Sequence, residues 1–218
     1  DDVVADGLLC LKLSERISLD GTFVHSMVGT ACEGFGIRAA MPGIEEASSD
    51  QLRKAASQLD KMTELFGPVD AEMVRTRIAD DFVMINVKSY HWLDLLTVSY
   101  IDKASVLDAM RDMLVRRNVL RNLLRTEIAI RLYKSEIDQY PESLESLVPE
   151  YINEVPRDGY SGSQTQPLRY KRSDDLESYR LYSVGQDGDD DYGEVIGQHW
   201  DEGDLDLKIL YQDRLAIN

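Results

Sequence analysis

Apolar residues recur along the first hundred positions at the three-and-four spacing of helices. Asp2 to about Ile17 carries Leu8, Leu9, Leu11 and Leu13, and Asp20-Gly21 reads as a turn. From Thr22 to about Ala40 the expected inward set is Phe23, Val24, Met27, Val28, Ala31 and Phe35. Pro42-Gly43 is expected to close that helix. Ser48 or Ser49 can cap a third helix with Leu52, Ala55, Ala56, Leu59, Met62 and Leu65 on one face. Gly67-Pro68 ends it. Asp70 opens a fourth predicted helix, through about Val87, with Met73, Val74, Ile78, Phe82 and Ile85 inward. Tyr90 to Tyr100 fits either a continued helix or a buried extended segment.

A longer helical pattern runs from Ala104 to about Asp138. Its stripe is Leu107, Met110, Leu114, Leu120, Leu124, Ile128 and Leu132, with Arg117 as the single interruption. Tyr140-Pro141 ends it, because proline disfavours helical geometry in the residue before it. Ser143 to Leu147 reads as short and helical, and Pro149, Pro156 and Pro167 punctuate a loop-rich stretch. Three strands are predicted, at Leu168–Arg172, Ser178–Val184 and Leu205–Tyr211. The fold class is therefore α+β. Residues 1–103 form a helical domain; residues 104–218 form a long helix leading into a small three-stranded antiparallel sheet.

Charge sharpens this picture. The chain has 218 residues, 40 Asp+Glu against 24 Lys+Arg, and a net charge of -16. That length suits one large domain or two small ones. Such acidity repels phosphate, so nucleic acid is not an expected partner, even though Arg111, Arg116, Arg117, Arg121 and Arg125 decorate the long helix. Those arginines are expected to face solvent or to pair with the acidic surplus. Residues 186–206 hold nine acids and no Lys or Arg. More than half of the net charge thus lies in one predicted inter-strand loop.

No run of about 18 apolar residues and no signal peptide is visible. The first residue is Asp, which fits a trimmed chain or a mature ectodomain whose anchor lay upstream. Cys10 and Cys32 have 21 residues between them, too many for a CxxC site. Buried free thiols are expected, and one disulfide between neighbouring helices is the alternative. His25, His91 and His199 are isolated, and no HExxH, nucleophile elbow, phosphate loop or dinucleotide fingerprint appears. Gly34-Phe35-Gly36 lies within a helical pattern and reads as close packing.

The remaining candidate chemistry is the acidic loop. Asp187, Asp189 and Asp191 alternate as D-x-D-x-D, a density of hard oxygens that suits Ca²⁺. The EF-hand template fails, because Tyr192 stands at its sixth position and Gln198 at its twelfth. A different calcium loop, closed by Asp204 or Asp206, and a solvated acidic loop are the two readings.

The block from Ile128 to Lys208 has a further property. A long helix ends at Tyr140-Pro141; an L-V-P-x-Y-I segment comes next, at Leu147 to Ile152, and a V-P-x-D loop at Val155 to Asp158. Then come an S-x-G-x-D-G loop, Ser183 to Gly188, and an Asp-x-Asp-hydrophobic segment, Asp204 to Leu207. In this order the pieces resemble the C-terminal region of major pseudopilins of type II secretion systems, and related pilin-like domains of anchored planctomycete-type bacterial proteins. The resemblance covers about 80 residues. It departs from the pattern in a longer Asp187-to-Asp204 spacing and in the absence of the hydrophobic pilin N-terminal helix. It implies a pilin-like fold for the last third and an extracytoplasmic location, with membrane contact only through an upstream anchor. It also implies calcium held by Ser183, Asp187 and one or both of Asp204 and Asp206, to which the alternation adds Asp189 and Asp191. The expected function is a non-enzymatic structural or assembly protein with protein partners or self-association. The alternatives are a binding module whose helical region docks a partner, and an enzyme using acidic residues.

Overall fold

Small residues decide how the first two helices meet. The computed structural model describes residues 3–19, 23–66, 103–162, 166–194 and 203–207. Helix α1 (Val3–Leu19) packs antiparallel on α2 (Phe23–Glu46), where Gly29, Gly36 and Gly43 recur every seven residues. A Cβ at Gly36 would lie 2.7 Å from Leu11 Cδ1 and 2.8 Å from the Gly7 carbonyl; one at Gly7 would lie 2.6 Å from Ala40 Cβ. The backbones therefore approach more closely than side chains allow. At Gly34 a Cβ would meet nothing within 4 Å, so the close packing expected of the Gly34–Gly36 run belongs to Gly36.

This contact corrects the expected inward face of α2. The helix buries Glu33, Ile37, Ala40, Met41 and Ile44, while Met27, Val28 and Phe35 are exposed. Glycine spacing, which apolar periodicity ignores, selects the face. On α1, Leu8 and Leu11 are buried, but Leu9 and Leu13 point outward. Nor does Pro42 close α2. It sits inside the last turns, and the helix continues to Glu46. So near a helix end a proline forfeits a single N–H bond that little depends on.

Ser48 then caps α3 (Ser49–Phe66). Its Oγ accepts from the Gln51 amide at 3.4 Å, and its own amide donates to Gln51 Oε1 at 3.0 Å, a reciprocal capping box. Leu52, Ala55, Ala56, Leu59 and Met62 are buried on the expected face. The predicted helix from Asp70 to Val87, the Tyr90–Tyr100 segment, His91 and His199 lie outside the described residues.

Helix α4 (Lys103–Ile137) is the longest element, and Leu120, Leu124, Ile128 and Leu132 of its predicted stripe are buried. Arg117 does not interrupt that stripe by facing solvent; it is buried too. Its Nε donates to Glu33 Oε2, its Nη1 to Ser18 Oγ at 2.9 Å and its Nη2 to Ser14 Oγ at 3.1 Å. One turn on, Arg121 Nε donates to Glu33 Oε1 at 2.5 Å, and its Nη1 lies 3.0 Å from Glu15 Oε1. Burial pushes the Glu15 carboxyl up to about 7, with Arg121 opposing the rise and Glu33 adding to it. Arg125 pairs with Asp60 of α3 at 2.6 Å. The arginines of α4 thus take up acids of the other three helices.

Beyond α4, a short 3-10 turn (Leu144–Leu147) precedes strands β1 (Arg169–Arg172) and β2 (Tyr179–Tyr182). The strands pair antiparallel, with Lys171 opposite Arg180 and Arg169 opposite Tyr182. The sheet docks on α4 through aromatic residues. Tyr179 donates to Glu127 Oε1 at 2.6 Å, and its ring lies 4.7 Å from that of Tyr140. The third predicted strand meets the sheet as a single bridge, Leu205 to Ser183, and its positions 208–211 lie outside the described residues. Among the described residues the protein is α+β, four helices and a two-stranded antiparallel sheet. Cys10 and Cys32 are free thiols, half-buried rather than buried. No described helix is long and apolar enough to cross a membrane.

Candidate functional site

The acidic loop leaves β2 at Ser183 and returns at Leu205. A carboxylate from outside the loop holds its root. Asp158, fully buried, accepts from Ser183 Oγ at 2.7 Å, from the Val184 amide at 2.9 Å and from the Tyr160 amide at 3.0 Å. Gly185 is in the left-handed region (φ 69°), and a Cβ there would lie 2.1 Å from the Gly203 carbonyl. The two limbs of the loop touch at this point, which admits only glycine.

Aspartates stitch the limbs together above the root. Asp187 Oδ2 accepts from the Gly203 amide at 2.9 Å, and its Oδ1 from the Asp189 amide at 3.2 Å. Asp190 accepts from Tyr182 Oη at 3.0 Å, from the Tyr192 amide at 3.1 Å and from Arg169 Nε at 3.1 Å. Partial burial would raise its pKa, but these three donors outweigh that and hold it below the usual carboxylate range. Asp204 is 1% exposed. Its Oδ2 accepts from the Gly193 amide at 2.6 Å, while its Oδ1 is buried without a hydrogen-bond partner. Burial pushes this carboxyl up to about 6; the Gly193 and Asp191 amides oppose the rise, and the charges of Asp190 and Asp191 add to it.

The six residues expected as ligands therefore divide. Asp204 is buried, and the charges of Asp190 and Asp191 add to the rise of its pKa. Asp187 serves to close the loop. Ser183 is committed to Asp158. Asp189 is exposed, and Asp206 is half-buried. Among the described residues no three His, Cys, Asp or Glu side chains converge tightly enough to hold a metal ion. Calcium can complete its shell with main-chain carbonyls and water, so a loop that brings few carboxylates together is compatible with it. The orphaned Asp204 Oδ1 is the feature that fits a cation, because a buried acceptor without a donor costs about 1–3 kcal/mol.

Two residues hold roles that the sequence pattern does not assign them. Asp158 stands in Pro156-x-Asp158-Gly159, a turn signature that marks an aspartate able to accept main-chain amides. Asp190 sits between the alternating aspartates, and no local signal distinguishes it. Its partners, Arg169 and Tyr182, belong to the strands. Comparisons with protein-family models, with curated proteins and with solved structures find no match to this chain.

Proposed function

We propose that this protein is a non-enzymatic, extracytoplasmic structural or assembly component of pseudopilin-like build, whose acidic loop is pinned by calcium. What supports the pilin-like reading is that the separate pieces of the resembling block are contact partners. The V-P-x-D aspartate, Asp158, holds the S-x-G serine, Ser183; the loop's Asp187 holds Gly203 next to the terminal Asp-x-Asp segment. What supports the cation is the buried, unpartnered Asp204 Oδ1 beside Asp190 and Asp191. Ser183, Asp187, Asp189, Asp191, Asp204 and Asp206 remain the candidate ligand set, with Asp204 foremost.

Thermal melting with calcium and with chelator tests this reading. Calcium at a hundredfold excess over its dissociation constant is expected to add about 2.7 kcal/mol, a rise of roughly 5–10 °C. The pH dependence of the calcium increment is set by Asp204. Its folded pKa is raised, so without cation its contribution to stability is present below its ordinary 3.8 and lost as pH rises through about 6. The calcium increment should therefore be larger at pH 7.5 than at pH 5, and Asp204→Asn should abolish it. An unmoved midpoint at pH 7.5 would sink the calcium reading.

A second reading, a protein-binding module, is favoured by the outer surface of the α1–α2 hairpin. Leu9, Leu13, Met27, Val28 and Phe35 are all at least 47% exposed there. Apolar side chains left in solvent on a helical pair are what a docking partner would cover. Leu13→Glu with Phe35→Glu is expected to leave the melting midpoint within about 2 °C, since neither side chain is buried. If both changes instead destabilise strongly, the surface is part of the core and this reading fails.

A further inference from the structure

The β-hairpin carries a charge arrangement that folding alone does not favour. Residues opposite each other on paired strands share a face of the sheet. The Tyr170–Leu181 and Arg172–Tyr179 rungs include the buried Leu181 and the half-buried Tyr179 docked on α4. The Lys171–Arg180 rung places two cations directly across from each other, with Lys171 and Arg180 both exposed. Like charges in that position destabilise a sheet. Among the described residues neither forms an ion pair with a carboxylate, in a chain with 40 acids against 24 bases.

These two cations border a groove of about 620 Å³; Arg172 lines its edge from the α4 side of the sheet, where its Nη1 donates to the Tyr140 carbonyl at 2.9 Å. Asp174 is the one carboxylate among its lining residues. Tyr192, 76% exposed, forms another part of its wall. The Tyr192 backbone is held in the left-handed region (φ 58°), its carbonyl accepting from Arg180 Nη1 at 2.6 Å and its amide donating to Asp190. An exposed aromatic ring fixed beside cations is a ready contact surface.

The Arg169–Tyr182 rung shows which chemistry this hairpin accepts. There Asp190, from the chain's own loop, takes a bond from Arg169 and another from Tyr182. A carboxylate already sits on that rung, whereas the Lys171–Arg180 rung sets two cations opposite each other with no carboxylate on it.

We propose that the Lys171–Arg180 rung, with Tyr192, is a docking site for an acidic peptide segment of another protein, one that places carboxylates on the two opposed cations. Charge complementarity carries the assignment: the ligand supplies the counter-charge that the sheet lacks and relieves the cross-strand repulsion. A second copy of this chain is the other occupant, and the titration distinguishes it.

Amide NMR titration of the whole chain in chelator tests the site, with a capped Glu-Ser-Glu-Ser-Glu peptide, its Gln-Ser-Gln-Ser-Gln counterpart, and inorganic phosphate. The acidic peptide is expected to shift residues 171, 172, 180 and 192, the neutral peptide to bind at least tenfold more weakly, and phosphate to leave those signals unmoved at equal concentration. Lys171→Glu should weaken the acidic peptide at least tenfold while holding or raising the melting midpoint, because it builds a cross-strand ion pair with Arg180. Lys171→Gln should weaken it while holding or slightly raising the midpoint, because it removes the cross-strand repulsion. Equal binding of both peptides, an acidic peptide bound equally well by Lys171→Glu, or the same shifts produced by phosphate would each overturn the proposal. So would concentration-dependent self-association that Lys171→Glu abolishes, since the occupant would then be a second copy.

Discussion

Glu33→Ala is expected to destabilise the protein by about 3–5 kcal/mol, the largest effect of any single substitution outside the apolar core. Glu33 is 1% exposed and accepts from both Arg117 and Arg121. Its removal leaves two guanidinium groups in the helical interior. Glu15 can compensate Arg121 only in part, and Arg117 keeps only Ser14 and Ser18. Urea unfolding followed by circular dichroism gives the value. The matching control is Arg53→Ala, which removes the exposed pair with Glu136 and is expected to cost no more than about 1 kcal/mol. Equal losses in the two variants would mean that water reaches the α1–α2–α4 cluster and that burial is not what sets its strength.

Asp158→Asn should have the second-largest effect. The substitution keeps the shape but exchanges one acceptor oxygen for an amide donor, so one of the main-chain amides of Val184 and Tyr160 or the Ser183 hydroxyl loses its acceptor. A loss of about 3 kcal/mol is expected, from a buried charge-assisted bond and the orphaned donor it leaves. The loop root should loosen with it. Calcium stabilisation is therefore expected to shrink in Asp158→Asn even though Asp158 is no ligand, and the melting comparison with and without chelator measures both effects in one series. If Asp158→Asn unfolds at the same urea concentration as the parent, the loop is anchored elsewhere.

Elements whose pattern is local were legible in the sequence. The long α4 with its stop at Tyr140-Pro141, the Ser48 cap, the buried face of α3 and both strands of the hairpin all come from spacing, capping chemistry or proline geometry. Features that depend on a partner distant in the chain were not. The buried face of α2 is chosen by glycines that let Gly7 approach, and Arg117 is tolerated in the core because Glu33, 84 residues away, meets it. The candidate loop divides in the same way. Its acidity and its D-x-D-x-D run were visible, whereas the commitment of Ser183 to Asp158 and of Asp190 to Arg169 spans 25 and 21 residues. One substituted side chain in such a pair changes the answer without altering any local pattern.

The glycine contacts of α1 with α2 carry one more implication. An interface of interdigitated leucines can slide by a turn and re-engage, since one leucine resembles the next. Here Gly7 faces Gly36 and Ala40, and Gly43 receives Val3 and Val4. A slip of one turn would bring Val3 or Leu11 to the place of Gly7, where even a single methyl carbon has no room. The hairpin is thus keyed rather than greased: its helices are either seated in one register or apart.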